Sequence, residues 1–121
     1  MTLPLQITYR GLEPSEFIDS DVQKHAERLE RFYPNLTACQ VTVELPHQHH
    51  HQGNRYRVQV KVTVPGAVIV SAQGAEDPAH EDAYVVIRDA FVAVTRQLED
   101  RIRRVRALSR PHAVEVPETG S

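Results

Sequence analysis

The chain of 121 residues has no apolar run approaching the roughly 20 residues that a membrane-spanning helix needs. Its first residues, Met1-Thr2-Leu3-Pro4-Leu5-Gln6, do not lead from a basic segment into an apolar one, so they do not read as a secretory signal. A lone cysteine, Cys39, has no partner for an internal disulfide. Together these absences predict a cytoplasmic protein with no membrane contact. Glycine numbers only five, with no glycine-rich phosphate loop and no nucleophile elbow. Net positive charge is missing as well: the formal charge is −2, which argues against a nucleic-acid binder whose whole surface is basic.

The apolar fraction is 40% and the charged fraction 25%, ordinary values for one globular domain able to bury a core. No repeat or linker divides the chain. The expected organisation is a domain over residues 1–106 and a flexible tail over 107–121, where periodicity ends and prolines and small polar residues take over.

Leu5 to Arg10 alternates apolar and polar and predicts a first strand, ended by Gly11. Ser15 suits an N-cap, and Ile18, Val22, Ala26, Leu29 and Phe32 or Tyr33 mark one face of the helix that follows, with Pro34-Asn35 as its stop. A second strand is expected over Thr37–Leu45. After the polar loop Pro46–Asn54, Tyr56, Val58, Val60, Val62 and Val64 give the clearest period-2 pattern in the chain, alternating with Arg55, Arg57, Gln59, Lys61 and Thr63. Pro65-Gly66 signals a turn into a fourth strand, Ala67–Ala72.

Asp77-Pro78 suits an N-cap with proline at the first helical position, opening a long helix to about Arg106. Ile87, Phe91, Val94, Leu98, Ile102 and Val105 form its apolar stripe. The fold class this predicts is α+β, ordered β-α-β-β-β-α: a four-stranded mixed sheet with two helices packed on its one apolar face. A crossover through the first helix makes the first two strands parallel, and hairpins add the others. The opposite face would carry Arg10, Arg55, Arg57, Gln59 and Lys61.

Charge is patterned along the chain. Six arginines lie between Arg96 and Arg110 against Glu99 and Asp100, and the tail adds Glu115 and Glu118. Lys24, Arg28 and Arg31, at i, i+4 and i+7, share one strip of the first helix, and Arg88 and Arg96 fall on the outer side of the second. Helices that pack as neighbours would let these strips flank a groove able to follow an RNA backbone, with phosphate neutralisation supplying salt-dependent affinity. Arginine outnumbers lysine twelve to two, which suits bidentate phosphate contacts, although GC-rich coding produces the same bias. The competing reading is a solvated helix face.

Leu29-Glu30-Arg31-Phe32 at the end of the first helix, and His80-Glu81-Asp82-Ala83-Tyr84 with Ile87 and Arg96-Gln97-Leu98 in the second, set in the βαβββα order, make the chain resemble one family. This is the ribosome hibernation-promoting factor and ribosome-associated inhibitor family, also called sigma-54 modulation proteins. The likeness runs from about Leu5 to Val105 and is to the short form, without an added ribosome-pairing or cold-shock domain. It implies a non-catalytic factor of stress or stationary phase that occupies the mRNA and tRNA channel of the small ribosomal subunit and represses translation. The implied partners are that subunit and its rRNA, with no cofactor, no small-molecule substrate, and a monomer or weak dimer as the assembly. Arg28, Arg31 and Arg96 match basic positions of the family, and His25 falls where a cation is common. With Lys24 and Arg88 from the helix strips, then Arg101, Arg103 and Arg104 from the basic end, these are the expected RNA-binding residues. The chain departs from the family pattern at Ala93, where Lys is usual, and at Glu99-Asp100, often a basic pair.

Other chemistries compete with this reading. His47, His49, His50 and His51 crowd one loop and could hold zinc, nickel or copper, although no Cys or carboxylate stands among them. The alternative for these histidines is a polar hairpin connection closed by Gly53-Asn54. An exposed sheet edge, at the valine-rich or the fourth strand, could take up a protein partner. His80-Glu81-Asp82 are neighbours at a helix start and do not converge on a substrate, so capping explains them. Cys39 is expected to pack, not react.

Overall fold

The computed structural model describes residues 3–46, 55–74 and 78–114. Their elements are β1 (Leu5–Arg10), α1 (Glu16–Phe32), β2 (Ala38–Glu44), β3 (Arg57–Val64), β4 (Ala67–Gln73), a 3-10 turn (Pro78–Glu81) and α2 (Ala83–Val114). The sheet order is β1-β2-β3-β4; β1 and β2 run parallel and the remaining pairs are antiparallel. This is the expected α+β fold.

Residues of one parity build the core. Cys39, Val41 and Val43 of β2 lie opposite Val62, Val60 and Val58 of β3, and all six are essentially inaccessible. Alternation then leaves Gln40, Thr42, Gln59 and Lys61 on the uncovered face. Both helices cover the valine face. Ile18, Val22, Ala26 and Leu29 of α1 and Ile87, Phe91, Val94 and Leu98 of α2 are buried, at the spacing their periodicity predicts. Cys39 is packed here, and burial pushes its thiol up to about 11, which keeps it unreactive.

Side chains set the helix starts. Ser15 is extended at φ −131° and its Oγ accepts from Ile18 N at 3.3 Å, so it caps α1. The Tyr9 hydroxyl reaches Asp19 Oδ1 at 2.6 Å, tying β1 to the first turn of α1; burial first, and this bond second, push the phenol up to about 12. The cap of α2 differs from expectation. Asp82, not Asp77, accepts from Tyr84 N at 2.9 Å, and the helix begins at Ala83. Asp77 lies outside the described residues, and the turn at Pro78–Glu81 precedes the helix.

Four further expectations need correction. The valine-rich strand β3 is interior, flanked by β2 and β4, so the free edges belong to β1 and β4. Arg55 precedes β3 and sits 3.8 Å from Glu81 instead of joining the sheet's polar face. Of the alternatives Phe32 or Tyr33, it is Tyr33 that packs against the core while Phe32 is 69% exposed, and Val105, expected in the stripe of the second helix, is 45% exposed. Finally, α2 continues to Val114, past the expected end near Arg106. Arg, Leu and Ala are good helix formers, and a helix that overhangs the sheet needs no apolar stripe to persist.

Candidate nucleic-acid interface

The two helices lie side by side on the sheet, and the seam between their outer faces is a groove of about 390 Å³. From α1 come His25, Arg28, Leu29 and Phe32, joined by Tyr33; from α2 come Arg88, Phe91, Val92, Thr95, Arg96 and Glu99. Four residues expected to act together are thus brought to one wall or the other: His25, Arg28, Arg88 and Arg96. Lys24 and Arg31 are exposed on α1 and outside the groove lining. Helical geometry explains the division, since Lys24 and Arg31 sit 40° to 60° farther round the helix than Arg28 at 100° per residue.

The cations differ in their engagement. Among the described residues, Lys24, Arg28, Arg31 and Arg96 have no carboxylate within ion-pair distance. Arg88 is 3.2 Å from Asp89, with its side chain still 61% exposed. His25 is half-buried and stacks on Phe91, ring centroids 5.1 Å apart at 17°. Burial is the main cause that lowers its pKa; Asp21, at 3.7 Å, opposes this, while Arg28, Arg88 and Lys24 add to it. His25 therefore serves as a neutral part of the groove floor at neutral pH, and the positive charge comes from arginine. Glu99 enters the groove but is held by the Tyr33 hydroxyl at 3.3 Å, a bond that joins the end of α1 to α2. Burial and then Glu99 raise the Tyr33 pKa.

The basic end of α2 does not act as one patch. Arg103 pairs with Asp100. Arg101 and Arg104 turn to the other side of the helix, along β4, where they line a depression with Ala67, Val68, Ile69, Gln97 and Asp100. Arg101 also borders a second depression, of about 420 Å³, together with Phe32, Tyr33, Leu36, Pro65, Ile102 and Arg106. Sequence periodicity missed Phe32, Tyr33 and Thr95 as groove residues, because it offered Phe32 or Tyr33 only as the last core position of α1, a place Tyr33 partly takes. The signal that separates Phe32 from Tyr33 is helical phase: Tyr33 follows Ala26 and Leu29 at i+7 and i+4 on the buried face, whereas Phe32 follows His25 at i+7 and faces the groove.

His80 is 3% exposed, with Nδ1 2.6 Å from the Gly74 carbonyl and Nε2 3.0 Å from Asp89 Oδ2. That bond, followed by Arg88, holds the Asp89 carboxyl below the usual carboxylate range. With Tyr56 N donating to the His80 carbonyl at 2.8 Å, the residue fastens the segment before α2 to the entry of β3. Its part is structural. The histidine loop 47–51 lies outside the described residues, and among the described residues no group of His, Cys, Asp and Glu could hold a metal ion. No helix among them is long and apolar enough to cross a membrane.

Residues 5–106 match the model of a family described as Sigma 54 modulation protein / S30EA ribosomal protein. A ribosome hibernation promotion factor from Deinococcus radiodurans is 28% identical over 115 residues, which cover 93% of this chain. The chain spans 57% of the length of that curated relative. A ribosomal subunit interface protein from Coxiella burnetii superposes with a TM-score of 0.65 at 14% identity, over 84% of this chain and 99% of the other. The N-terminal domain of Protein Y from Thermus thermophilus superposes at 0.57 with 24% identity, over 88% and 100%. At these identities the two structures establish a shared fold.

Proposed function

The chain belongs to the Sigma 54 modulation protein / S30EA ribosomal protein family, and on that premise we propose that it is a ribosome-binding factor whose α1–α2 groove lies against rRNA of the small subunit. In this reading it occupies the mRNA and tRNA channel and represses translation in stress or stationary phase, acting in the cytoplasm as a non-catalytic protein. One observation carries the proposal. Arg28 from α1 and Arg96 from α2 face the same groove with no carboxylate partner among the described residues, and Arg88 adds a third, largely exposed guanidinium. Cations left unpaired on a protein of net charge −2 concentrate positive potential where phosphates can collect it. The guanidinium fork suits bidentate contact with phosphate.

Co-sedimentation with ribosomes and separated subunits at two salt concentrations tests this. Wild-type protein is expected to migrate with the small subunit and the intact ribosome at low salt, and to fall away as salt rises. Arg28→Glu with Arg31→Glu should weaken association and lower the salt slope by at least about 1, for the phosphate contact of Arg28 in the groove. The thermal midpoint should fall only slightly, since neither side chain is buried or, among the described residues, paired, and the one cost is the charge reversal of Arg31 in the last turn of α1. Undiminished binding by this variant would remove α1 from the interface.

A further inference from the structure

Phe32 is 69% exposed at the end of α1 and lines both the α1–α2 groove and the second depression beyond it. It thus stands as a partition between two hollows, and each is rimmed by arginine: Arg28 and Arg96 on one side, Arg101 and Arg106 on the other. None of these four has a carboxylate partner among the described residues. From Arg96 to Arg106 the helix advances about 15 Å, and at 100° per residue Arg106 returns to the side of α2 that lines the groove. Arg28, Arg96 and Arg106 therefore make one cationic track with an aromatic ring at its middle, while Arg101 reaches the second hollow from the β4 side.

We propose that Phe32 is a stacking platform for an unpaired base of single-stranded RNA whose backbone follows this track. The inference rests on the RNA-binding reading given above and adds to it the kind of RNA and the residue that recognises it. Guanidinium rims attract any polyanion. A bare phenyl face between them gains only from a partner carrying flat apolar rings between its phosphates, and single-stranded RNA has that chemistry. A duplex keeps its bases stacked inside and has none to offer.

Exposure alone does not single out Phe32, because Phe17 is 77% exposed. Phe17, however, lies in the acidic first turn of α1, beside Glu16 and one helical turn before Asp21, where a polyanion is repelled. It therefore serves as the internal control. The neighbouring ring of Tyr33 is partly buried against the core, which leaves Phe32 as the exposed ring face.

The chain contains no tryptophan, so Phe32→Trp installs a single fluorophore at the proposed contact. With a labelled oligouridylate of about 12 nucleotides, within the usual site sizes for single strands, binding should quench that tryptophan. By anisotropy, Phe32→Leu should weaken the complex about 5- to 150-fold, the range for losing one stacked base, while Phe32→Tyr and Phe17→Leu stay near wild type. Inorganic polyphosphate, a polyanion without bases, should bind wild type and Phe32→Leu equally. Equal affinity of wild type and Phe32→Leu for the oligouridylate overturns the stacking contact and leaves the RNA-binding reading standing. Equal losses for RNA and polyphosphate overturn it in the same way. Failure of wild-type protein to bind the oligouridylate at low salt also overturns the inference. The ribosome sedimentation experiment then decides the broader reading separately.

Discussion

The imidazole of His25 carries a prediction opposite in sign to the one its place in a cationic groove invites. Burial against Phe91 and the nearby cations lower its pKa in the folded state, against an ordinary value of about 6.5 when unfolded. Below that pH the unfolded chain takes up the proton first, so stability falls as acid is added and is fully present above about 6.5. The urea midpoint should therefore drop between pH 7.5 and 5.5, and His25→Phe should reduce that drop. An unchanged drop in the variant would assign the effect to other groups. Asp89 acts in a separate window. Its carboxyl is held low chiefly by His80, so its contribution is present above about 3.9, the unfolded value, and is lost only as pH falls below it.

At the scale of the elements, the connections carry the sharpest local constraints. Gly11 has φ +77°, and a Cβ there would come within 2.5 Å of the Leu45 carbonyl oxygen. That contact joins the end of β1 to the end of β2, where Leu45 N also donates to Arg10 O at 2.9 Å. Gly11→Ala must move backbone as well as adopt a left-handed conformation, and should cost more than the about 1–2 kcal/mol of the conformation alone. Ser15→Ala removes only a cap and should cost about 1 kcal/mol. Chemical denaturation of the two variants checks the order, and a milder effect at Gly11 would show that the turn can relax. Gly66, with φ +84° after Pro65, fits the second central position of a type II turn between β3 and β4 and makes no comparably close approach.

For the whole molecule, the sheet separates two surfaces of different character. One face is covered by α1 and α2, whose outer seam holds the arginine groove; the other carries Gln40, Thr42, Gln59 and Lys61, with Val68 and Val70 toward the β4 edge. The proposed RNA contact uses the helical side alone. Val70→Glu, at an exposed position opposite Lys61, should change stability by less than about 0.5 kcal/mol and leave ribosome sedimentation intact. Loss of sedimentation in that variant would move the interface to the open face of the sheet.

Period-2 alternation in β2 and β3 and the stripes Ile18–Leu29 and Ile87–Leu98 determined the fold from the sequence alone, because burying apolar surface leaves one economical arrangement for such faces. The bounds of β1 and the capping role of Ser15 were legible for the same reason: each depends on residues within a few positions of one another. Tertiary structure decided what depends on distant partners. Asp82 and not Asp77 caps α2, His80 is fastened by Gly74 and Asp89, and β3 is interior because β4 folds back beside it. The site divides along the same line. The sequence named Arg28, Arg88 and Arg96, whereas only the packing of α1 against α2 brought them to one groove, turned Arg101 and Arg104 toward β4, and left Phe32 outside the core. A periodic pattern says which face of an element is apolar, but where that face ends is set by how far the neighbouring element extends beneath it.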